Sequence, residues 1–196
     1  MYRHFYFYLF ILIIGRQQTK LSMKKIVITG PESTGKSTLC DLLAKHYHTI
    51  WCPEYAREYL HVYGKNYTYA DLLTIAKGQL ALEEEHIAGN DANSKFLFID
   101  TDMHVMKVWC EYVYNKCHHE ILQEISTRQY DLYLLCNIDL PWTEDELREY
   151  PDEYSRLELY RMYKDILISQ STPWIEINGT YEERLATATN AIDNLL

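Results

Sequence analysis

In VITGPESTGKSTLCDLL, beginning at Val27, two glycines and a Lys-Ser pair fall as Gly30-x4-Gly35-Lys36-Ser37. These residue types at this spacing bind phosphate. Glycine lets the backbone turn and approach closely where a Cβ would crowd it, so that successive N–H groups face the phosphate oxygens. Lys36 reaches the β- and γ-phosphates, and the Ser37 hydroxyl ligates Mg²⁺. Such a loop must leave a strand and enter a helix, whose N-terminus adds partial positive charge. KIVIT before it and an apolar-periodic run after it supply both. Gly30, Glu32, Ser33, Thr34, Gly35, Lys36, Ser37 and Thr38 are therefore the expected ATP-binding residues.

Transfer of a γ-phosphate to a hydroxyl needs one carboxylate to accept or orient the proton and another to hold the metal. In an open α/β sheet, ligands lie outside the carboxyl ends of the strands. Glu54 follows the second expected strand; Asp100 and Asp102 follow the third, FLFI. Asp100, closing that apolar run, is the metal candidate, Glu54 the first candidate for the base and Asp102 the second. A carboxylate just after a strand also serves as a helix cap, which is the rival role for Glu54 and Asp102. Arg148 and Arg156 follow the fourth strand. They act either as lid arginines that neutralise the transferring phosphoryl group or as members of solvated salt bridges. Arg57 is placed to meet substrate or phosphate, or to pair with Glu54 or Glu58 on its own helix. Tyr55, Tyr59 and Trp109 suit stacking on a flat ring and suit core packing equally. The Cys-His-His-Glu run at 117–120 reads as a surface cluster, because adjacent helix residues point different ways.

Five apolar strands, KIVIT, TIWC, KFLFID, YDLYLLCNI and PWIEING, alternate with helical patterns. That alternation predicts a three-layer α/β/α P-loop fold with a parallel sheet of about five strands and a lid in the charged segment after the fourth. Helices are expected from Ser37, after Pro53 with Gly64 as its cap, over 69–86, over 103–126 with a break at YNKCHH, over 156–169 and from Thr180. Thr180 and Glu183 form a capping-box pattern at the last. The fourth strand ends CNIDLP, without the Asn-Lys-x-Asp of guanine-specific enzymes. A motor or AAA-type ATPase ordinarily brings a larger chain, which leaves a nucleoside- or nucleotide-kinase-like enzyme.

The length of 196 residues fits one domain. Nineteen basic against 28 acidic residues give a net charge of −9, and no basic cluster is present, so nucleic acid is excluded as a partner and a small molecule favoured. Five cysteines without a CxxC pair exclude a disulfide framework or zinc knuckle and indicate a reducing cytoplasm. FYFYLFILII near the N-terminus is shorter than the ~20 residues a membrane span needs, and no cleavage site follows it. Residues 1–22 are read as lying outside a single domain at 23–196, either as an upstream-start artefact or loose extension, or as a weak membrane anchor. The sequence does not specify an oligomeric state.

Several blocks together resemble the ribosylnicotinamide kinase domain of the NadR-type NAD-biosynthesis proteins, a P-loop kinase/AAA-like ATPase family. They are GPESTGKSTL, WCPEYAREYL, Gln79 in KGQLALEEEH, FLFIDTDMHVMKVW, YDLYLLCNIDLPWTEDELR with Arg156 beyond Arg148, and TPWIEINGTYEERL, in order from Met23 onward. The resemblance implies transfer of the ATP γ-phosphate to the 5′-hydroxyl of nicotinamide riboside, giving nicotinamide mononucleotide in NAD salvage. It implies that Asp100 and Ser37 position Mg²⁺ and that Glu54, Tyr55, Arg57, Gln79 and Asp102 border the riboside. Full NadR-type proteins also carry an adenylyltransferase domain. This chain has no His-x-Gly-His motif, so it is expected to make the mononucleotide and stop there. The alternatives are a kinase for another nucleoside or nucleotide and a regulatory P-loop ATPase switch, separated by whether ATP consumption depends on an acceptor.

Overall fold

The computed structural model describes residues 23–91 and 94–195; the apolar N-terminal segment, and with it the expected extension or anchor, lies outside them. Five strands, β1 (Lys24–Thr29), β2 (Trp51–Cys52), β3 (Phe96–Asp100), β4 (Leu132–Cys136) and β5 (Trp174–Ile177), form one sheet in the order β2-β3-β1-β4-β5. All four pairings are parallel. The central β1 sets Ile28 opposite Asp100 on β3 and Thr29 opposite Leu135 on β4. That register brings the start of the glycine loop level with the last residue of β3.

Among the described residues seven helices accompany the sheet: α1 (Lys36–His46), α2 (Tyr55–Tyr63), α3 (Tyr69–Gly89), α4 (Met103–Tyr114), α5 (His119–Thr127), α6 (Glu153–Ile168) and α7 (Tyr181–Asp193). They cover both faces of the sheet, as alternation along each strand requires. Ile26 and Ile28 pack with Leu39 and Leu43 of α1 and Ala188 and Ile192 of α7. Val27 faces the other way, among Val105 and Val108 of α4 and Leu159, Tyr163 and Leu167 of α6. A third cluster, with Ala56, Leu72, Ile75 and Met106, joins α2, α3 and α4 outside the sheet. The fold is thus the α/β architecture the sequence predicts, with β1 one residue longer than KIVIT and β2 to β5 shorter than their apolar runs suggest.

Local signals act where they were read. Thr180 and Glu183 close a reciprocal capping box on α7, and Gly64 ends α2 at a φ of 81°. A second box, Thr68 with Asp71 on α3, matches no expected pattern, because its acid is Asp in place of the usual Glu or Gln. Among the described residues no helix is long and apolar enough to cross a membrane, and the five cysteines are unpaired. The 117–120 cluster holds no metal site; His118 stacks on Tyr69 at 3.7 Å and its Nε2 meets the Tyr69 carbonyl.

Gly78 lies inside α3, where alanine ordinarily stabilises by about 1 kcal/mol. Here a Cβ would come 2.1 Å from the Tyr55 ring. Gly78→Ala is therefore expected to destabilise by about 1–2 kcal/mol through overpacking, while Gly89→Ala, with open space around it, is not. Urea unfolding of both variants checks the sign.

Candidate active site

The loop between β1 and α1 is shaped by contacts that a side chain would break. Gly30 has a φ of 133°, and a Cβ there would sit 2.7 Å from the carbonyl oxygen of Cys136 on β4. Gly35, at a φ of 79°, turns the chain into α1 with Leu140 and Tyr181 packed against it. The Thr34 hydroxyl and the Lys36 ammonium both donate to the Pro31 carbonyl, at 2.8 and 2.9 Å. The carbonyl of Thr34 accepts from Arg184 Nη1 at 3.0 Å. Arg184, on α7 and 1% exposed, also donates to the carbonyls of Gly179 and Asn137 and pairs with Asp139. One buried guanidinium thus ties the loop to the ends of β4 and β5.

Two carboxylates face this loop. Asp100 is buried at the end of β3; its Oδ2 accepts from the Ser37 hydroxyl at 2.5 Å and its Oδ1 has no hydrogen-bond partner. A buried carboxylate oxygen without a donor, beside a serine hydroxyl, fits Mg²⁺, which takes one or two protein oxygens and fills its shell with water and phosphate. Glu54 follows β2 and occupies the N-cap position of α2, yet its side chain makes no cap hydrogen bond. It lines the cavity instead. Burial and the nearby Asp100 push its pKa up to about 7, against the pull of Lys36 and Arg57. Burial raises Asp100 as well, opposed by Lys36 and the Ser37 hydrogen bond. A carboxyl group poised near neutrality both takes and releases a proton readily.

The cavity measures about 440 Å³. Its wall joins the glycine loop, Leu140, Pro141 and Tyr181 to Glu54, Arg57 and a largely apolar and aromatic chamber of Leu60, Val108, Trp109, Tyr112, Leu147, Tyr150 and Tyr163. Residues 139–152 fold across it as a lid. Glu32 Oε2 accepts from the N–H groups of Glu149 and Tyr150 at 2.9 and 3.3 Å, and Ser33 Oγ accepts from the Thr143 N–H at 2.8 Å. Arg57 reaches up to Asp145 of the lid at 2.7 Å, rather than to Glu54 or Glu58.

Of the expected site residues, Gly30 to Thr38, Glu54, Arg57 and Arg148 converge on the cavity, and Asp100 sits behind Ser37. Trp109 lines it too; Tyr59 instead donates its hydroxyl to Asp71. Four others go elsewhere. Asp102 is the N-cap of α4: its carboxylate accepts from the N–H groups of His104 and Val105, from the Tyr133 hydroxyl at 2.9 Å, and meets the His104 ring at 2.7 Å. Thr101, at a φ of 81°, turns the chain between Asp100 and Asp102, so the two acids meet different partners. Gln79 is buried and holds the turn before α2, accepting from the Tyr55 N–H at 2.7 Å and donating to the Pro53 carbonyl at 3.2 Å. Tyr55 packs its ring on Gly78. Arg156 donates to the Leu140 carbonyl at 3.2 Å and lies over the Trp142 ring, bracing the lid from outside the cavity. Sequence reasoning passed over Arg184 and Glu149, which carry no local signal, and most of the chamber's aromatic residues. Tyr112 and Tyr163 were signalled only by helical spacing, which marks core as readily as site.

Fold and loop together define a P-loop nucleotide-binding domain with kinase-like architecture. Residues 25–184 match the AAA domain family, and the chain belongs to it; setting AAA-type proteins aside on size drew that boundary too tightly. Over 179 residues the chain is 27% identical to the trifunctional NAD biosynthesis/regulator protein NadR of Escherichia coli K12, covering 89% of this chain and 43% of that protein. It therefore spans less than half the length of the curated relatives it matches. A crystal structure of NadR protein in complex with NR superimposes with a TM-score of 0.71 at 24% identity, over 88% of this chain and 49% of the other. Thymidylate kinase from Ehrlichia chaffeensis shares the fold at a TM-score of 0.63 and 13% identity, over 87% and 99%.

Because the Glu54 pKa rises on folding, the folded protein binds the extra proton between the ordinary glutamate value and about 7, and stability falls as pH rises through that window. Glu54→Gln removes the penalty. In the absence of divalent cations it is expected to raise unfolding stability by about 1–3 kcal/mol at pH 8 and by much less at pH 4.5. An equal change at both pH values in urea titrations would refute the raised pKa.

Proposed function

We propose that the chain is an ATP-dependent kinase that phosphorylates the 5′-hydroxyl of nicotinamide riboside to nicotinamide mononucleotide. The observation that carries this reading is Glu54, a carboxylate with no cap hydrogen bond, lining one cavity together with the phosphate loop and a group of aromatic residues. The similarity to NadR proteins, one of them solved with NR, supports the acceptor. Five unpaired cysteines support a reducing cytoplasm as the compartment.

In this reading the loop N–H groups and Lys36 hold the β- and γ-phosphates, and the chamber holds the riboside ring. Glu54 takes the proton of the 5′-hydroxyl as its oxygen bonds to the γ-phosphorus. The bond from that phosphorus to the β,γ-bridging oxygen breaks, and ADP leaves. Ser37 and Asp100 would hold Mg²⁺, which when bound offsets charge on the phosphate oxygens. Arg148, on the lid and on the cavity wall, lies 3.4 Å from Ser33 Oγ, in position to meet the same charge. Lid and loop exclude the water that would otherwise hydrolyse ATP.

The test is ATP turnover with Mg²⁺, with and without nicotinamide riboside, and product mass. Mononucleotide is expected at the rate of ADP release. Glu54→Gln should lower kcat by about a hundredfold or more and leave ATP binding within about twofold. ADP released equally without riboside, with no phosphorylated product, would overturn the acceptor and favour an ATPase switch. Turnover confined to another nucleoside would replace the acceptor and keep the kinase.

A further inference from the structure

The chamber carries a carboxylate that the phosphoryl transfer does not use. Glu149, in the lid, lines the cavity. Its Oε2 accepts from the Tyr67 hydroxyl at 2.8 Å, and that hydroxyl accepts from Trp109 Nε1 at 2.9 Å. Trp109 is itself part of the chamber wall. Two hydrogen bonds therefore set the carboxylate at a fixed place beside the indole, whose ring meets Tyr67 edge to face at 4.9 Å. The backbone is fixed as well, through the Glu149 N–H bond to Glu32 at 2.9 Å.

The cations of the cavity have other partners. Arg57 is bound to Asp145, Arg148 donates to Ser33 and the Thr143 carbonyl, and Lys36 donates to the Pro31 carbonyl. Burial and the neighbouring Glu32 raise the Glu149 pKa, opposed by the Tyr67 hydrogen bond and Lys65. Among the described residues no cation forms an ion pair with this carboxylate, and Lys65 acts on it only through space. It stands among aromatic rings whose faces also attract cations, in a partly desolvated site where charge pairing outweighs its value in water.

We propose that Glu149 is a specificity determinant that selects an acceptor with a positively charged ring over a neutral ring of the same size. The proposal rests on the nicotinamide riboside reading and deepens it, because an N-glycosylated pyridinium is a planar cation whereas the common nucleoside bases are neutral. Tyr67 is the positioning residue, linking the carboxylate to the N–H of Trp109 on the chamber wall.

Oxidised nicotinamide riboside and its 1,4-dihydro form share ribose and carboxamide and differ in ring charge. The wild-type chain is expected to prefer the cation by about tenfold or more in kcat/KM. Glu149→Gln retains an oxygen for the Tyr67 hydroxyl. It should cost about tenfold for the cation, chiefly in KM, and less than about twofold for the neutral form. Tyr67→Phe, a second variant should the first fail to fold, is expected to reduce the preference about threefold in the same direction. Equal losses for both substrates would mean that Glu149 only holds the lid, and an unchanged ratio that it reads no charge; either overturns the proposal. If neither form is phosphorylated, the acceptor reading falls, and the charge preference is read in binding. Tryptophan-fluorescence quenching then compares the 1-methylnicotinamide cation with neutral nicotinamide. Tighter cation binding that Glu149→Gln abolishes upholds the inference, and equal binding overturns it.

Discussion

A loop that turns its N–H groups toward a phosphate must turn carbonyl oxygens the other way, into protein, where each needs a donor. Arg184 answers that constraint. Its guanidinium reaches the carbonyls of Thr34, Asn137 and Gly179 and pairs with Asp139, so that loop, β4 and β5 meet on one side chain. A buried arginine is tolerable only because its donors find oxygens from several directions. The approach of Gly30 to the Cys136 carbonyl fixes the other flank. With both flanks held, the pairing of β1 with β3 decides where Ser37 meets Asp100. The geometry of the candidate site follows from strand register and one buried cation outside the cavity lining.

The same site concentrates acids that repel one another. Burial raises the pKa of both Glu54 and Asp100, and Asp100 raises that of Glu54 further, while Lys36 and Arg57 pull both down. In the proposed reading, a magnesium triphosphate would bring its own cation to Asp100 and anionic oxygens to Lys36, leaving Glu54 for the acceptor. Lid and loop are also coupled, because the oxygens that hold the lid backbone are the side chains of Glu32 and Ser33, residues of the phosphate loop. Loop conformation and lid position are therefore not independent variables.

The fold was legible because its signals are local: apolar runs buried on both faces, helical spacing between them, Gly30 and Gly35 at the loop, Thr180 with Glu183 at the last helix. Glu54 and Asp100 were legible from the rule that strands deliver ligands at their carboxyl ends. Asp102 satisfies the same rule, yet the next helix begins at once and its free N–H groups take the carboxylate. The Gln79 amide is likewise taken up by the turn before α2, well separated in the chain. Arg184 and Glu149 gave no sequence signal, since their partners lie far away along the chain and come into reach only through tertiary packing.

The thiols set a chemical background. Cys40, Cys52, Cys110 and Cys136 are buried, Cys117 is half-buried, and burial raises the pKa of all five above the ordinary thiol value. At neutral pH these sulfurs are poor nucleophiles toward alkylating reagents and peroxide. A single cysteine introduced on the exposed outer side of the lid would react well ahead of them. A dye attached there would report lid position in the otherwise native chain, without first removing sulfur atoms from the core.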